Sequence, residues 1–98
     1  VTLPNRVIRS ATYEGMCDNT GIPQKIYTDL YADLASKGIG GLITGFAHIS
    51  KEGRAMQPLQ AGIDSKESIP AFREMTERVH KNGSAVFMQI AHAGRQTV

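Results

Sequence analysis

Three short apolar runs, separated by two stretches of helical periodicity, constrain the fold of this 98-residue chain more than any other feature. The runs are centred near Ile8, Ile43 and Phe87, a spacing that leaves room for one loop and one helix between successive runs. Runs rich in β-branched and aromatic residues are typical of buried strands. Two successive βαβ units give a parallel sheet, because such crossovers are almost always right-handed. The sequence therefore predicts an α/β fold with three parallel strands.

The predicted strands occupy residues 6–11, 42–44 and 85–89, and each helix between them has start and stop signals. Pro23 suits the first turn of helix one, and Gly38 suits its end. Its predicted buried face consists of Ile26, Leu30 and Leu34, widened by Tyr27, Tyr31 and Ala35. Helix two is predicted to begin after a cap at Ser65 or Ser68, with Pro70 in its first turn, and to end at Lys81-Asn82-Gly83. Its predicted buried face consists of Ile69, Phe72, Met75 and Val79.

Two long loops, residues 12–21 and 46–65, each follow a strand and precede a helix. In βα folds this end of the sheet binds ligands, and long loops in compact domains tend to be functional. We expect Glu14, in the first of these loops, to be a solvated carboxylate. Three parallel strands with two helices leave one sheet face and both sheet edges uncovered, so we expect the chain to be part of a larger α/β protein.

Composition excludes several classes of function. The chain is 41% hydrophobic and 20% charged, with a net charge of only +2, which gives no argument for nucleic acid binding. It lacks an apolar stretch of the ~20 residues needed to span a bilayer, and we expect no signal peptide. The single cysteine, Cys17, excludes a disulfide within the chain and favours a reducing cytoplasm. Because the chain begins without Met, we expect it to be processed or cut from something longer.

Common catalytic and cofactor motifs are missing. The first strand is followed by Thr12-Tyr13-Glu14-Gly15, not by the glycine pattern of a dinucleotide-binding fold. His48, His80 and His92 are far apart in the sequence, so we predict no metal site. Cys17 and His92 are candidates for a nucleophile pair, but a lone cysteine without a third partner is more often inert.

Gln89 ends the third predicted strand and opens the segment that also contains His92 and Arg95. One interpretation is structural: Gln89 is a satisfied polar residue at a strand end, and His92 and Arg95 lie in a solvated loop. The other is that small and polar residues at three strand ends, within residues 10–13, 44–47 and 89–92, admit a flat ligand. A glutamine amide both donates and accepts, which suits a flavin pyrimidine edge but also other heterocycles.

Three segments together resemble one known family. They are residues 5–12 (NRVIRSAT), residues 41–54 (GLITGFAHIS followed by KEGR) and residues 89–95 (QIAHAGR). In this order and spacing they are similar to the first three strands of the Old Yellow Enzyme family of NAD(P)H:flavin oxidoreductases. The resemblance covers essentially the whole chain.

The resemblance implies that residues 1–98 are the N-terminal part of an FMN-binding (β/α)₈ barrel, the TIM fold, incomplete as given. It implies hydride transfer from NAD(P)H through FMN to an activated alkene or another small-molecule acceptor. The implied flavin-binding residues are Ser10, Ala11, Thr12, Tyr13, Gly45, Phe46 and Gln89. His92 and Arg95 are substrate-side candidates without an assigned catalytic role. The catalytic residues of the family belong to later strands, so we expect the fragment alone to be inactive.

Tyr13 departs from the family pattern, where some members have a Thr or Cys that contacts the flavin. We expect the Tyr13 ring to pack rather than its hydroxyl to replace that contact. Two alternatives to the enzyme remain open. The chain is a structural piece that self-associates through its open sheet, as a homo-oligomer, or a heterocycle-binding module without a redox role.

Overall fold

The structure, a computed structural model, describes residues 1–97 and confirms the predicted alternation of strands and helices. The second predicted loop also contains two short strands that the sequence does not signal. In chain order the elements are β1 (Ile8–Arg9), α1 (Lys25–Ser36), β2 (Gly41–Ile43), β3 (Ala47–His48), β4 (Ala61–Gly62), α2 (Ile69–Lys81), β5 (Ala85–Phe87) and β6 (Ile90–Ala91).

The three predicted strands form one parallel sheet in the order β1-β2-β5. Because side chains alternate along a strand, residues paired across the sheet share a face. Arg9, Leu42 and Val86 form one such row, on the face that the helices cover. Ile8 and Phe87 lie on the opposite face and are 41% and 42% exposed. Two helices on one side therefore leave the other face of the sheet open, as predicted.

The outer strands β1 and β5 are shorter than the predicted residues 6–11 and 85–89. Just after β1, the Thr12 hydroxyl donates a hydrogen bond to the Ser10 carbonyl oxygen at 3.1 Å. Such local bonds from side chain to backbone compete with the pairing of strands. The residues predicted to bind a cofactor therefore lie on irregular backbone just beyond the strand ends.

A second parallel sheet, in the order β4-β3-β6, lies where the sequence predicts loop. Ala47 pairs with Ala61 on one side and with Ile90 on the other. The chain segment that contains β2 and β3 thus runs beside the segment that contains β5 and β6, through both sheets. They are interrupted at residues 44–46 and 88–89, which hold the predicted cofactor-binding residues of both segments. Two-residue strands carry no periodic pattern, so the sequence could not reveal this sheet.

Helix α1 buries one half of its predicted face, the half formed by Tyr27, Tyr31 and Ala35. Ile26 is 59% exposed, and Leu30 and Leu34 are only partly buried. The fully buried side chains are those of Tyr27 and Tyr31, whose ring centroids lie 4.7 Å apart. Aromatic rings bury more surface than leucine side chains, so the packing of these rings sets the rotation of the helix.

Helix α2 packs against α1 through the predicted residues Phe72, Met75 and Val79, all buried. The Phe72 ring meets the Tyr27 ring edge-on, with centroids 6.0 Å apart. Ile69, also predicted to be buried, is 49% exposed because it opens the helix, one turn before this aromatic contact. Within the described residues, neither helix has the length and apolar character required to cross a bilayer.

The ends of the helices follow the prediction in part. Pro70 lies in the first turn of α2, and Gly83, just after its last turn, has the left-handed φ of 86°. Ser68 occupies the N-cap position, but its hydroxyl donates to the Ser65 carbonyl oxygen at 2.9 Å and caps no helical N–H. Pro23 lies ahead of α1, outside its first turn.

Candidate active site

The loop after β1 and the end of β2 meet at the same edge of the main sheet. The ring of Tyr13 stacks on the ring of Phe46, with centroids 5.7 Å apart and planes 15° apart. A Cβ atom added at Gly45 would lie 2.5 Å from the Thr12 carbonyl oxygen. Glycine is thus required at position 45 because the two backbones approach too closely for a side chain.

The end of β5 joins the same edge through its backbone. The Gln89 N–H donates to Thr44 Oγ1 at 3.2 Å, and the Gln89 carbonyl oxygen accepts from the Ala47 N–H at 2.9 Å. These bonds fix the Gln89 backbone between β2 and β3. Its side chain is exposed, and its amide has no hydrogen-bond partner within residues 1–97.

The Gln89 side chain lines a cavity of about 370 Å³. Phe46, Gln60 and His92 line the same cavity. Gln60 is 3% exposed; its side-chain oxygen accepts from the Ala55 N–H at 2.9 Å, while its amide nitrogen is buried without a partner among the described residues. Donors and acceptors thus line a cavity next to the strand ends.

The structure separates the two substrate-side candidates. His92 lines the cavity and lies so close to Gly53 that a Cβ atom there would approach its Cδ2 to 2.7 Å. Its Nδ1 accepts from the Gly94 N–H at 3.0 Å, which leaves Nε2 for a ligand. Arg95 is exposed in the short 3-10 turn Gly94–Gln96 and does not line the cavity.

The ring and the hydroxyl of Tyr13 both make contacts within the chain. Its ring packs on Phe46, which is the favoured prediction. Its hydroxyl also donates to the Pro58 carbonyl oxygen, and this hydrogen bond connects the loop after β1 to the loop before β4. The hydroxyl is therefore engaged within the chain.

Glu14 is not the solvated carboxylate that we expected. Its side chain is only 6% exposed. It accepts hydrogen bonds from the Tyr31 hydroxyl, from the Gly45 N–H at 3.3 Å and from Arg9 Nη1 at 3.4 Å. The sequence prediction was wrong because the loop folds back onto α1, where two donors and a cation surround the carboxylate.

Arg9 is the cation of this buried cluster. Arg9 shares a face of the sheet with Leu42, so its side chain points toward the helices. Its Cζ lies over the Tyr31 ring, 5.0 Å from the ring centroid. Nη1 donates to the Tyr31 hydroxyl at 2.9 Å and to the Ile43 carbonyl oxygen at 3.2 Å, and Nη2 donates to the Thr12 carbonyl oxygen at 3.4 Å. One side chain thus connects β1, β2, α1 and the first loop. A charged residue inside an apolar strand was the available sequence signal for this role.

The Tyr31 hydroxyl uses its full hydrogen-bonding capacity. It donates to Glu14 and accepts from Arg9 and from the Gly45 N–H, the latter at 3.2 Å. Burial, reinforced by the Glu14 carboxylate, raises the pKa of Tyr31 to about 12. The hydroxyl therefore keeps its proton near neutral pH and acts as a donor to Glu14.

Cys17 is not a catalytic nucleophile. It is 4% exposed, and burial, together with the nearby Glu14 and Asp18 carboxylates, raises its pKa to about 12. The thiolate, which is the nucleophilic form, is thus scarce near neutral pH. This agrees with the sequence interpretation of an inert cysteine.

His48, considered above only as a metal ligand, is a buried titratable residue. It is 2% exposed, and its Nδ1 lies 3.6 Å from Asp64 Oδ1 without a hydrogen bond. Burial lowers the pKa of His48, and the Asp64 carboxylate only partly opposes this shift. Within residues 1–97 no group of three or more His, Cys, Asp or Glu side chains is arranged to hold a metal ion.

Comparison with known proteins supports the resemblance seen in the sequence. A sequence model of the NADH:flavin oxidoreductase / NADH oxidase family matches residues 1–98. The NADH-dependent flavin oxidoreductase nadA of Aspergillus parasiticus is 32% identical over 96% of this chain, which spans 24% of that protein. A probable flavin mononucleotide-dependent alkene reductase of Leishmania infantum is 31% identical over 98% of this chain, which spans 26% of that protein.

The fold also has solved counterparts. The old yellow enzyme homologue of Zymomonas mobilis superimposes on 94% of this chain with a TM-score of 0.85 and 28% identity. The match covers 25% of that longer chain. The prediction that the chain forms part of a (β/α)₈ barrel is confirmed. The chain spans about a quarter of the length of these relatives.

We predict that His48 makes folding stability depend on pH. Burial lowers the pKa of His48 in the folded chain. Below a pH of about 6.5, the ordinary histidine pKa, the unfolded chain therefore binds more protons than the folded chain. The free energy of unfolding is therefore expected to fall as the pH drops through and below about 6.5 toward the folded pKa. Urea unfolding between about pH 8 and about pH 5 measures this slope.

The variant His48→Gln should flatten that slope, and His80→Gln, at an exposed position of α2, should leave it unchanged. Equal slopes for His48→Gln and the natural chain would contradict the assignment.

Proposed function

The chain belongs to the NADH:flavin oxidoreductase / NADH oxidase family, and from that premise we propose that it supplies the first part of the flavin site of an FMN-dependent NAD(P)H oxidoreductase. The proposed acceptor is an activated alkene or another small molecule. The chain spans about a quarter of its relatives, so this activity is proposed for a whole protein of which residues 1–98 are one part.

One observation carries the proposal: the three segments predicted to bind a flavin converge at one edge of the sheet. Tyr13 contacts Phe46, Thr12 approaches Gly45, and Gln89 is held by the backbone that follows Gly45. The carboxyl ends of parallel barrel strands are where (β/α)₈ enzymes bind their ligands.

The residues present fit a flavin. The free Gln89 amide offers a donor and an acceptor side by side, which matches the N–H and C=O groups of a pyrimidine edge. A side chain at Gly45 would collide with Thr12 and Glu14, so the glycine brings the loops after β1 and β2 together. Its N–H is already bonded to Glu14 and Tyr31, so a contact from this segment would use the Gly45 carbonyl oxygen or the Phe46 N–H.

FMN, when bound, supplies the hydride chemistry between NAD(P)H and the acceptor. The described residues supply binding and orientation. Backbone at Ser10, Ala11 and Thr12 would line one flank of the ring system, and Gln89 would fix its pyrimidine portion. His92, with Nε2 free at the cavity, is the candidate for contact with a substrate, and Arg95 remains a weaker candidate because it lies outside the cavity.

The open sheet face favours one secondary role. Ile8 and Phe87 are exposed on this face, and Ile90, in the second sheet, is 60% exposed. Residues 1–98 on their own would bury this surface by pairing with another copy, so a homo-oligomer is the second candidate. A cytoplasmic location, predicted from the single cysteine, stays a prediction.

We expect residues 1–98 alone to be catalytically inactive, because the catalytic residues that the resemblance implies belong to later strands. The measurement is steady-state oxidation of NADH and NADPH by residues 1–98 with added FMN. Turnover within the ordinary enzyme range of about 1–10³ s⁻¹ would refute this expectation.

Binding of FMN tests the proposed function directly. In the whole protein, Gln89→Ala is expected to raise the dissociation constant of FMN about tenfold, since a lost hydrogen-bond pair of this kind is worth roughly 1.4 kcal/mol. Fluorescence quenching of FMN during titration with the flavin-free protein measures the constant.

The control is Gln24→Ala, because the Gln24 amide is already bonded to the Ile22 carbonyl oxygen at 3.0 Å, away from the cavity. A whole protein that retains no FMN would refute the proposed function. If the natural protein binds other heterocycles as tightly as FMN, and Gln89→Ala weakens the binding of all of them equally, the module without a redox role is favoured.

A further inference from the structure

The Glu14 carboxylate is buried in an ion pair that stability alone does not explain. Its side chain is 6% exposed and that of Arg9 is 15% exposed. Removing charges from water is expensive, and replacing buried ion pairs by apolar residues is often neutral or even stabilising. Where such pairs are retained, their best supported use is to select one arrangement of the chain over others.

The groups that this cluster holds are direct neighbours of the proposed flavin-binding residues. Arg9 precedes Ser10 and bonds the Thr12 carbonyl oxygen. Glu14 follows Tyr13, and its carboxylate accepts a hydrogen bond from the Gly45 N–H. Gly45 directly precedes Phe46. The cluster therefore fixes the two loops that would touch the ring.

Tyr31 reinforces this arrangement from α1. Its hydroxyl accepts from the same Gly45 N–H at 3.2 Å and donates to the same Glu14 carboxylate. Gly45 is thus held by two acceptors that are also bonded to each other. The loop after β2 cannot shift without breaking bonds to both the first loop and the helix.

We infer that Glu14 is a positioning residue of the flavin site: with Tyr31, it holds Gly45 so that the loops after β1 and β2 keep the spacing that the ring requires. This inference rests on the proposed function. It assigns to Glu14 and Tyr31 a role in the affinity of the folded protein for FMN, in addition to any role in folding.

Helix α1 provides a matched control for Tyr31. Tyr27 lies one turn earlier on the same buried face, and its hydroxyl has no hydrogen-bond partner within the described part of the chain. Tyr27→Phe and Tyr31→Phe remove the same atom from the same kind of environment. Only Tyr31→Phe removes bonds to Glu14 and Gly45.

The experiment titrates FMN into the flavin-free whole protein carrying Glu14→Gln, Tyr31→Phe or Tyr27→Phe. Glu74→Gln, on the exposed face of α2, is the control for the charge change. All measurements are made at a temperature where far-ultraviolet circular dichroism shows each variant to be folded. The readouts are the dissociation constant of FMN and the position and shape of its visible absorption bands when bound.

We expect Glu14→Gln and Tyr31→Phe each to raise the dissociation constant about tenfold and to alter the visible bands, while both controls stay within about twofold of the natural protein. A purely structural role would lower the unfolding temperature but leave the affinity of the folded protein unchanged. If Glu14→Gln fails to fold, Tyr31→Phe decides, because it leaves the Arg9–Glu14 pair in place.

Two failures are distinguishable. If the natural whole protein binds FMN and the folded variants bind it equally well with the same bands, the positioning role is refuted and the proposed function stands. If the natural whole protein binds no FMN, the proposed function is refuted and the positioning role falls with it.

Discussion

The contact between the Glu14 carboxylate and the Gly45 N–H is the interaction on which the shape of the site depends. It joins a loop of the first βα unit to the end of the second strand, and Arg9 and Tyr31 surround it with further bonds. In a low-dielectric interior a satisfied network of this kind is rigid, because each member would be left unpaired if another moved. The absence of a side chain at Gly45 allows the contact to form.

This constraint links the core of the chain to its surface. Arg9 points toward α1 because strand side chains alternate, and Tyr31 points toward β1 because the aromatic residues set the rotation of the helix. The opposite alternation leaves Ile8 and Phe87 on the uncovered face. The packing of α1 on the sheet and the geometry of the proposed flavin site are therefore not independent. A change that rotates α1 would displace Gly45.

The sequence predicts the architecture well and the polar cluster poorly. Spacing and β-branched composition locate the three strands, and the residues of α2 follow their predicted face except for Ile69. The sequence could not show which half of the predicted α1 face is buried, because both the Leu30 side and the Tyr31 side carry helical periodicity. The role of Glu14 depends on a loop returning to α1 across 17 positions, a tertiary contact that no local pattern encodes. The family resemblance predicts Gln89, Gly45 and Phe46 as flavin-binding residues, since these positions carry its motifs.

A crystal structure of the whole protein with FMN bound would test this account most directly. We predict that the Gln89 amide lies within hydrogen-bonding distance of the flavin pyrimidine ring and that the Glu14 carboxylate still accepts from the Gly45 N–H. A flavin bound elsewhere, or a Glu14 side chain released from Gly45 when FMN binds, would contradict it.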